Sequence, residues 1–182
     1  MKLFKILFLV TCLFLSSCSE GDIIDIDIDF EGELQNCSNE NDNTFVFFKN
    51  DLAINRSLSV NFVNTTFSIN PETVADISVD APTEILLNTT TNQFIYREFD
   101  APINDINYFC SSIPVSDILV TKELVSSNGT AEISYAIVDN SSTEETIYSR
   151  TVTLRNITLL GEGVEFIQEE LVLGTDTVTL TN

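Results

Sequence analysis

The run ILVTKELVSSNGTAEISYAIVD, residues 118–139, decides how this chain folds. Apolar and polar residues alternating with period two place successive side chains on opposite faces of an extended strand. From Thr130 onward, Ala131, Ile133, Tyr135 and Ile137 share one face, and Glu132, Ser134 and Ala136 the other. Residues 118–126 read as a strand too, rich in the β-branched residues that suit a pleated surface. Between them stands Asn128-Gly129. Both residue types accept positive φ, which makes the pair the strongest short-range signal for a type I′ hairpin. The stretch therefore predicts two antiparallel strands, 118–126 and 130–139, joined by a tight turn.

Working outward, similar runs recur at 44–49, 57–63, 76–79, 84–89 and 93–99, then at 146–160, 164–173 and 177–181. Gly161-Glu162-Gly163 reads as a second hairpin connection and Gly174-Thr175-Asp176 as a third, so the C-terminal half reads as an antiparallel meander. Within 146–160 the apolar phase changes, Val152 and Leu154 against Ile157 and Leu159, which predicts a bulge near Arg155-Asn156. Helical periodicity is nearly absent. The one candidate is a turn at Asn70-Pro71-Glu72-Thr73, with asparagine as cap and proline at the first helical position. Many short strands, few internal glycines and abundant phenylalanine predict an all-β fold, a single antiparallel two-sheet β-sandwich. An immunoglobulin-like topology fits this pattern, although the chain has no tryptophan to sit beside a disulfide.

The N-terminus carries two lysines, Lys2 and Lys5, and then an apolar run over 6–15. That run is too short for a stable transmembrane helix but has the length of a secretory signal core. Next comes Leu15-Ser16-Ser17-Cys18, which resembles the lipobox of bacterial lipoproteins. The resemblance implies removal of residues 1–17, acylation of Cys18 and a membrane-tethered domain, since two or three acyl chains make desorption negligible. An ordinary leader with an incidental cysteine and an uncleaved N-terminal anchor are the alternatives. The acidic stretch directly after Cys18, Ser19-Glu20-Gly21-Asp22, resembles the export signal of Bacteroidota lipoproteins displayed outside the outer membrane. It implies an outer-membrane, lipid-anchored and surface-exposed address in the cell envelope. Residues 18–32 then form an acidic tether with a possible first strand, and 33–182 one domain with no internal linker.

Of the four cysteines, Cys12 leaves with the leader and Cys18 takes lipid, which leaves Cys37 and Cys110. An even pair in an oxidising compartment reads as one disulfide, with two buried thiols as the alternative. The formal net charge is −20, and loss of Lys2 and Lys5 makes it more negative still. Such a surface repels phosphate backbones and anionic lipid, which excludes nucleic acid as a partner and leaves basic protein patches and divalent cations compatible. Asp25, Asp27 and Asp29 have the spacing of a calcium loop. However, Phe30 stands where such a loop turns on glycine, and the fillers Ile24, Ile26 and Ile28 favour extended chain. A strand or tether is expected and no metal ligand is assigned; calcium would require further acids such as Glu31 or Asp42.

The chain has no histidine, which removes the Ser-His-Asp triad, the Cys-His pair and imidazole-bound zinc. It has no glycine-rich phosphate loop, and no cofactor is implied. With 28 acidic residues, some carboxylate pair will stand at a glycosidase separation by chance, so the count carries no information. No catalytic residue is assigned. Tyr96, Tyr108 and Tyr148 are candidate ligand-contact aromatics, with core packing as the competing role. Asn-x-Ser/Thr sequons such as Asn64-Thr65-Thr66 and Asn88-Thr89-Thr90 read as polar strand and turn composition, and Asp176-Thr177-Val178 resembles the Bacteroidota O-glycosylation site. The expectation is a surface-tethered, non-catalytic binding or structural module for a glycan or protein ligand. The alternative is a small carboxylate-based, glycosidase-like hydrolase.

Overall fold

The computed structural model describes residues 28–39, 44–63, 69–103, 106–111 and 117–182. The leader, Cys18, Asp25, Asp27, Asp42 and the sequon at Asn64 lie outside them. Eight strands, β1 (Gln35–Asn39), β2 (Thr44–Asp51), β3 (Arg56–Val63), β4 (Thr83–Leu86), β5 (Asn92–Phe99), β6 (Val120–Asp139), β7 (Glu145–Gly161) and β8 (Val164–Thr181), carry 64% of the described chain. One short helix, α1 (Asn107–Cys110), and a 3-10 turn (Val74–Asp76) are the other regular elements among the described residues. All pairings between these strands are antiparallel, in the order β1-β2-β3-β5-β6-β7-β8, with β4 beside β6. The result is a meander, not a Greek key, coiled into a half-barrel. Where two hydrogen-bonded sheets were expected, the strands form one.

The reason lies in residues 118–139. They do not fold back at Asn128-Gly129 but run on as the 20-residue strand β6. β5 and β4 lie end to end along one edge of β6, Ile95 opposite Val125 and Leu86 opposite Thr130, while β7 follows the other edge. The Leu87 N–H donates to the Gly129 carbonyl at 2.9 Å and carries the β4 pairing across the supposed turn. Gly129 alone of the pair takes positive φ, 128°. A I′ turn needs both residues there, whereas a bulge needs one. The bulge shifts the inward phase of β6 from Leu124 and Ser126 to Ala131, Ile133 and Tyr135.

The bulge expected on β7 is present: Asn156 has φ 50°, and burial passes from Val152 and Leu154 to Ile157 and Leu159. Gly161-Glu162-Gly163 makes the β7–β8 hairpin as expected. Gly174-Thr175-Asp176, by contrast, is mid-strand in β8, because β7 continues opposite it, Arg150 facing Asp176. Gly174 is required for closeness: a Cβ there would stand 2.7 Å from the Cβ of Leu34, where the N-terminal segment crosses β8. The expected strand at 76–79 is absent, and the helical turn begins later than Asn70-Pro71. The Asp76 carboxylate accepts from the Thr73 N–H and hydroxyl, at 2.9 and 3.0 Å, which fixes Thr73 as the cap and holds the Asp76 pKa below its ordinary value.

The concave face holds the main core, with Phe47, Leu58, Val60, Phe62 and Phe94 meeting Leu124, Ile133, Leu154, Ile157 and Leu159. β2 is apolar in succession, Phe45-Val46-Phe47-Phe48, because both its faces are covered. Phe45 and Phe47 enter the main core. On the other face Phe48 stacks on Phe109 of α1, ring centroids 4.3 Å apart, and Tyr108 meets Phe99 edge-on at 5.3 Å. The Cys37–Cys110 disulfide, Cα to Cα 5.8 Å, pins α1 to β1 over this second layer.

A buried ion pair between β7 and β8 lies where the two edges of the sheet meet. Arg150, 1% exposed, donates through Nε to Asp176 Oδ1 at 2.9 Å, through Nη2 to Oδ2, and through Nη1 to the Ile69 carbonyl at 2.9 Å. Its guanidinium lies 4.6 Å from the Phe47 ring centre and 5.6 Å from that of Phe45. The Asn36 amide of β1 donates to the same carboxylate at 2.6 Å, so Asp176 joins β8 to β1.

Candidate functional site

The loops that leave the sheet beside α1 enclose a cleft of about 560 Å³. Phe48 of β2 lines it, and Asn50 and Leu52 continue from the end of β2 into the following turn. Pro102, Ile103, Ile106 and Ile118 line it too, together with Glu33 and with Gln35, the first residue of β1, which pairs with Phe48. The disulfide and the Phe48–Phe109 stack hold the helix that follows Ile106 against β1 and β2. Backbone bonds lace the rest: the Phe99 N–H donates to the Asn55 carbonyl at 2.9 Å, and the Asp100 N–H to the Leu119 carbonyl at 3.1 Å. The Asp100 carboxylate accepts from the Leu119 N–H at 2.9 Å. Leu52, Ile54, Ile106 and Leu119 remain largely exposed at this end of the sheet, Leu119 at 64%.

The chemistry of the lining is one-sided. Glu33 is the only ionisable side chain among the described lining residues, and Gln35 and Asn50 supply amides. Oδ1 of Asn50 is buried and accepts no hydrogen bond from the described residues. An unpaired buried acceptor carries a desolvation cost of about 1–3 kcal/mol. Such a lining can bind and orient a molecule; its described residues bring no nucleophile and base together.

A second opening, about 530 Å³, lies where Asp29, Phe30, Glu31 and Gly32 meet Lys49 and the Leu173-Gly174 stretch of β8. Lys49 is buried, its ammonium 5.3 Å from the Phe30 ring centre, and the Arg56 guanidinium stands at 5.3 Å from the same ring. Burial pushes the Lys49 pKa below its ordinary value, while the nearby Asp29 carboxylate opposes that shift. The cluster seats the N-terminal segment on β2 and β3.

The structure separates the residues singled out from sequence. Cys37 and Cys110 are bonded. Tyr96 is buried, its hydroxyl donating to Glu98 at 2.6 Å; burial first, then the Glu98 carboxylate, raise its pKa. Tyr148 is buried beside Tyr135, edge-on at 6.5 Å, and Tyr108 packs against Phe99 and Phe109. All three tyrosines therefore serve packing, and none lines the cleft. Asp29 and Glu31 are exposed, and the described residues contain no group of three or more metal-ligating side chains. Asp176, the acid of the O-glycosylation-like triplet, is engaged by Arg150, while Thr177 is exposed. The cleft itself was missed. Its signal was the isolated apolar residues Leu52, Ile103 and Ile106 in segments without alternation, where no strand demands them.

The fold and cleft define an all-β half-barrel with a loop-walled pocket at one end. No family model, curated protein or solved structure matches the chain.

Proposed function

We propose that this protein is a non-catalytic binding module, tethered by lipid on Cys18 at the outer membrane and displayed at the cell surface, with the cleft beside α1 as its binding site. The observation that carries the reading is the cleft: apolar walls and a few polar groups, fixed by a disulfide on a rigid sheet, are the usual make-up of a ligand site. The acidic surface and the lipobox-like Leu15-Ser16-Ser17-Cys18 support an extracytoplasmic tether.

Two measurements test the two halves. An alkyne fatty-acid label fed to cells should mark the wild-type chain and not Cys18→Ser; an unlabelled wild type would remove the tether. The mature chain carrying Cys18→Ser should raise the fluorescence of the uncharged apolar dye N-phenyl-1-naphthylamine. Ile106→Asp should abolish that rise without lowering the melting temperature, because Ile106 is 48% exposed. A wild type that leaves the dye dark would end the binding-site reading.

A further inference from the structure

The polarity of the cleft names the class of molecule that fits it, given that the cleft is a binding site. Phe48, Leu52, Ile103, Ile106 and Ile118 offer an apolar bed. In the same cleft Glu33 offers an anionic acceptor, and the Asn50 carboxamide carries an oxygen that no described donor satisfies. The terminal torsion of an asparagine is soft, so the amide can turn toward an arriving donor. A carboxylate or phosphate head would meet Glu33 at like charge, on a chain whose net charge is already −20. A neutral head would leave the Glu33 charge unanswered. An ammonium head answers both acceptors at once, while its hydrocarbon body displaces water from the isoleucine wall.

We infer that the cleft takes a small amphipathic cation: a protonated primary amine on an apolar body of a few to several carbons. The head sits between Glu33 and Asn50, and the body lies against Ile103 and Ile106.

Octylamine, octanol and octanoate share one apolar body and differ only in the head. Each is titrated against N-phenyl-1-naphthylamine bound to the mature chain, at low salt. Octylamine should displace the dye at a concentration roughly two- to fivefold below octanol, the range of a partly exposed ion pair, and octanoate should be weakest. Glu33→Gln, at an exposed position, should erase the gap between amine and alcohol without lowering the melting temperature. Raising the salt should shrink the same gap. Equal displacement by all three heads, or a gap that survives Glu33→Gln, overturns the amine assignment and leaves an apolar binding site. Dye that binds the cleft yet yields to none of the three also overturns it. Failure of the dye itself to bind would strike the underlying reading instead.

Discussion

Replacing Asp176 with alanine tests how the half-barrel is held closed. The substitution strips Arg150 of its carboxylate at Nε and Nη2 and takes from the Asn36 amide its acceptor, while the guanidinium stays buried. Removing one member of a buried ion pair costs about 3–5 kcal/mol, because the remaining charge is left uncompensated. Arg150 keeps its bond to the Ile69 carbonyl and its two phenylalanine rings, which places the expected loss near the lower end, about 3 kcal/mol. With an m-value of about 2 kcal/mol/M in urea, the unfolding midpoint should fall by about 1.5 M. The companion variant separates pairing from burial. Arg150→Met with Asp176→Leu removes both charges together, and such a swap in a dry interior is neutral or stabilising by about 1–4 kcal/mol. Equilibrium urea unfolding followed by circular dichroism reads both. A loss below about 1 kcal/mol in Asp176→Ala, or a double variant as unstable as the single one, would refute the argument that the pair is interior and mutually dependent.

Two further outcomes follow from the packing. The disulfide closes a loop with a sequence separation of 73, worth at most about 4 kcal/mol in the chain-entropy model, so Cys37→Ser with Cys110→Ser should lower the urea midpoint by up to about 2 M. The same variant should weaken dye binding, because α1 loses its anchor over β1; unchanged binding would show that the wall stands without the bond. Tyr96 sets an alkaline limit. Its phenol is raised in the folded state, by burial first, so its contribution is intact below the unfolded pKa of about 10 and is lost as pH rises above it. Stability should decline there by at most about 1.4 kcal/mol per pH unit for this group, and Tyr96→Phe should flatten the slope; equal slopes in both proteins would contradict the assignment.

Alternation made most strands legible. The runs at 44–49, 57–63, 93–99 and 146–160 fall on β2, β3, β5 and β7 within about two residues, since period-two patterning reflects a strand that has two unlike faces. The phase change at Arg155-Asn156 was readable for the same reason: a bulge must swap the face on which apolar residues appear. Signals that name a backbone angle were less decisive. Glycine at 129 reports that φ is positive, and both a hairpin turn and a bulge meet that requirement. Which one forms depends on β4, β5 and β7 lying alongside, and those partners come from elsewhere in the chain. Gly174 misled in the same manner, its small size serving the passage of Leu34 and not a turn.

By itself the sequence determined that the chain is all-β and where most of its strands run, and it offered Cys37 and Cys110 as a pair. These are local or counting properties: face periodicity, turn composition and the arithmetic of four thiols. Only the tertiary structure decided that residues 118–139 form one strand, that β1 and β8 meet at Asp176, and that scattered loop isoleucines gather around Glu33 into a cleft. Those outcomes depend on which distant segments share hydrogen bonds and buried surface, a choice that no window of the chain contains.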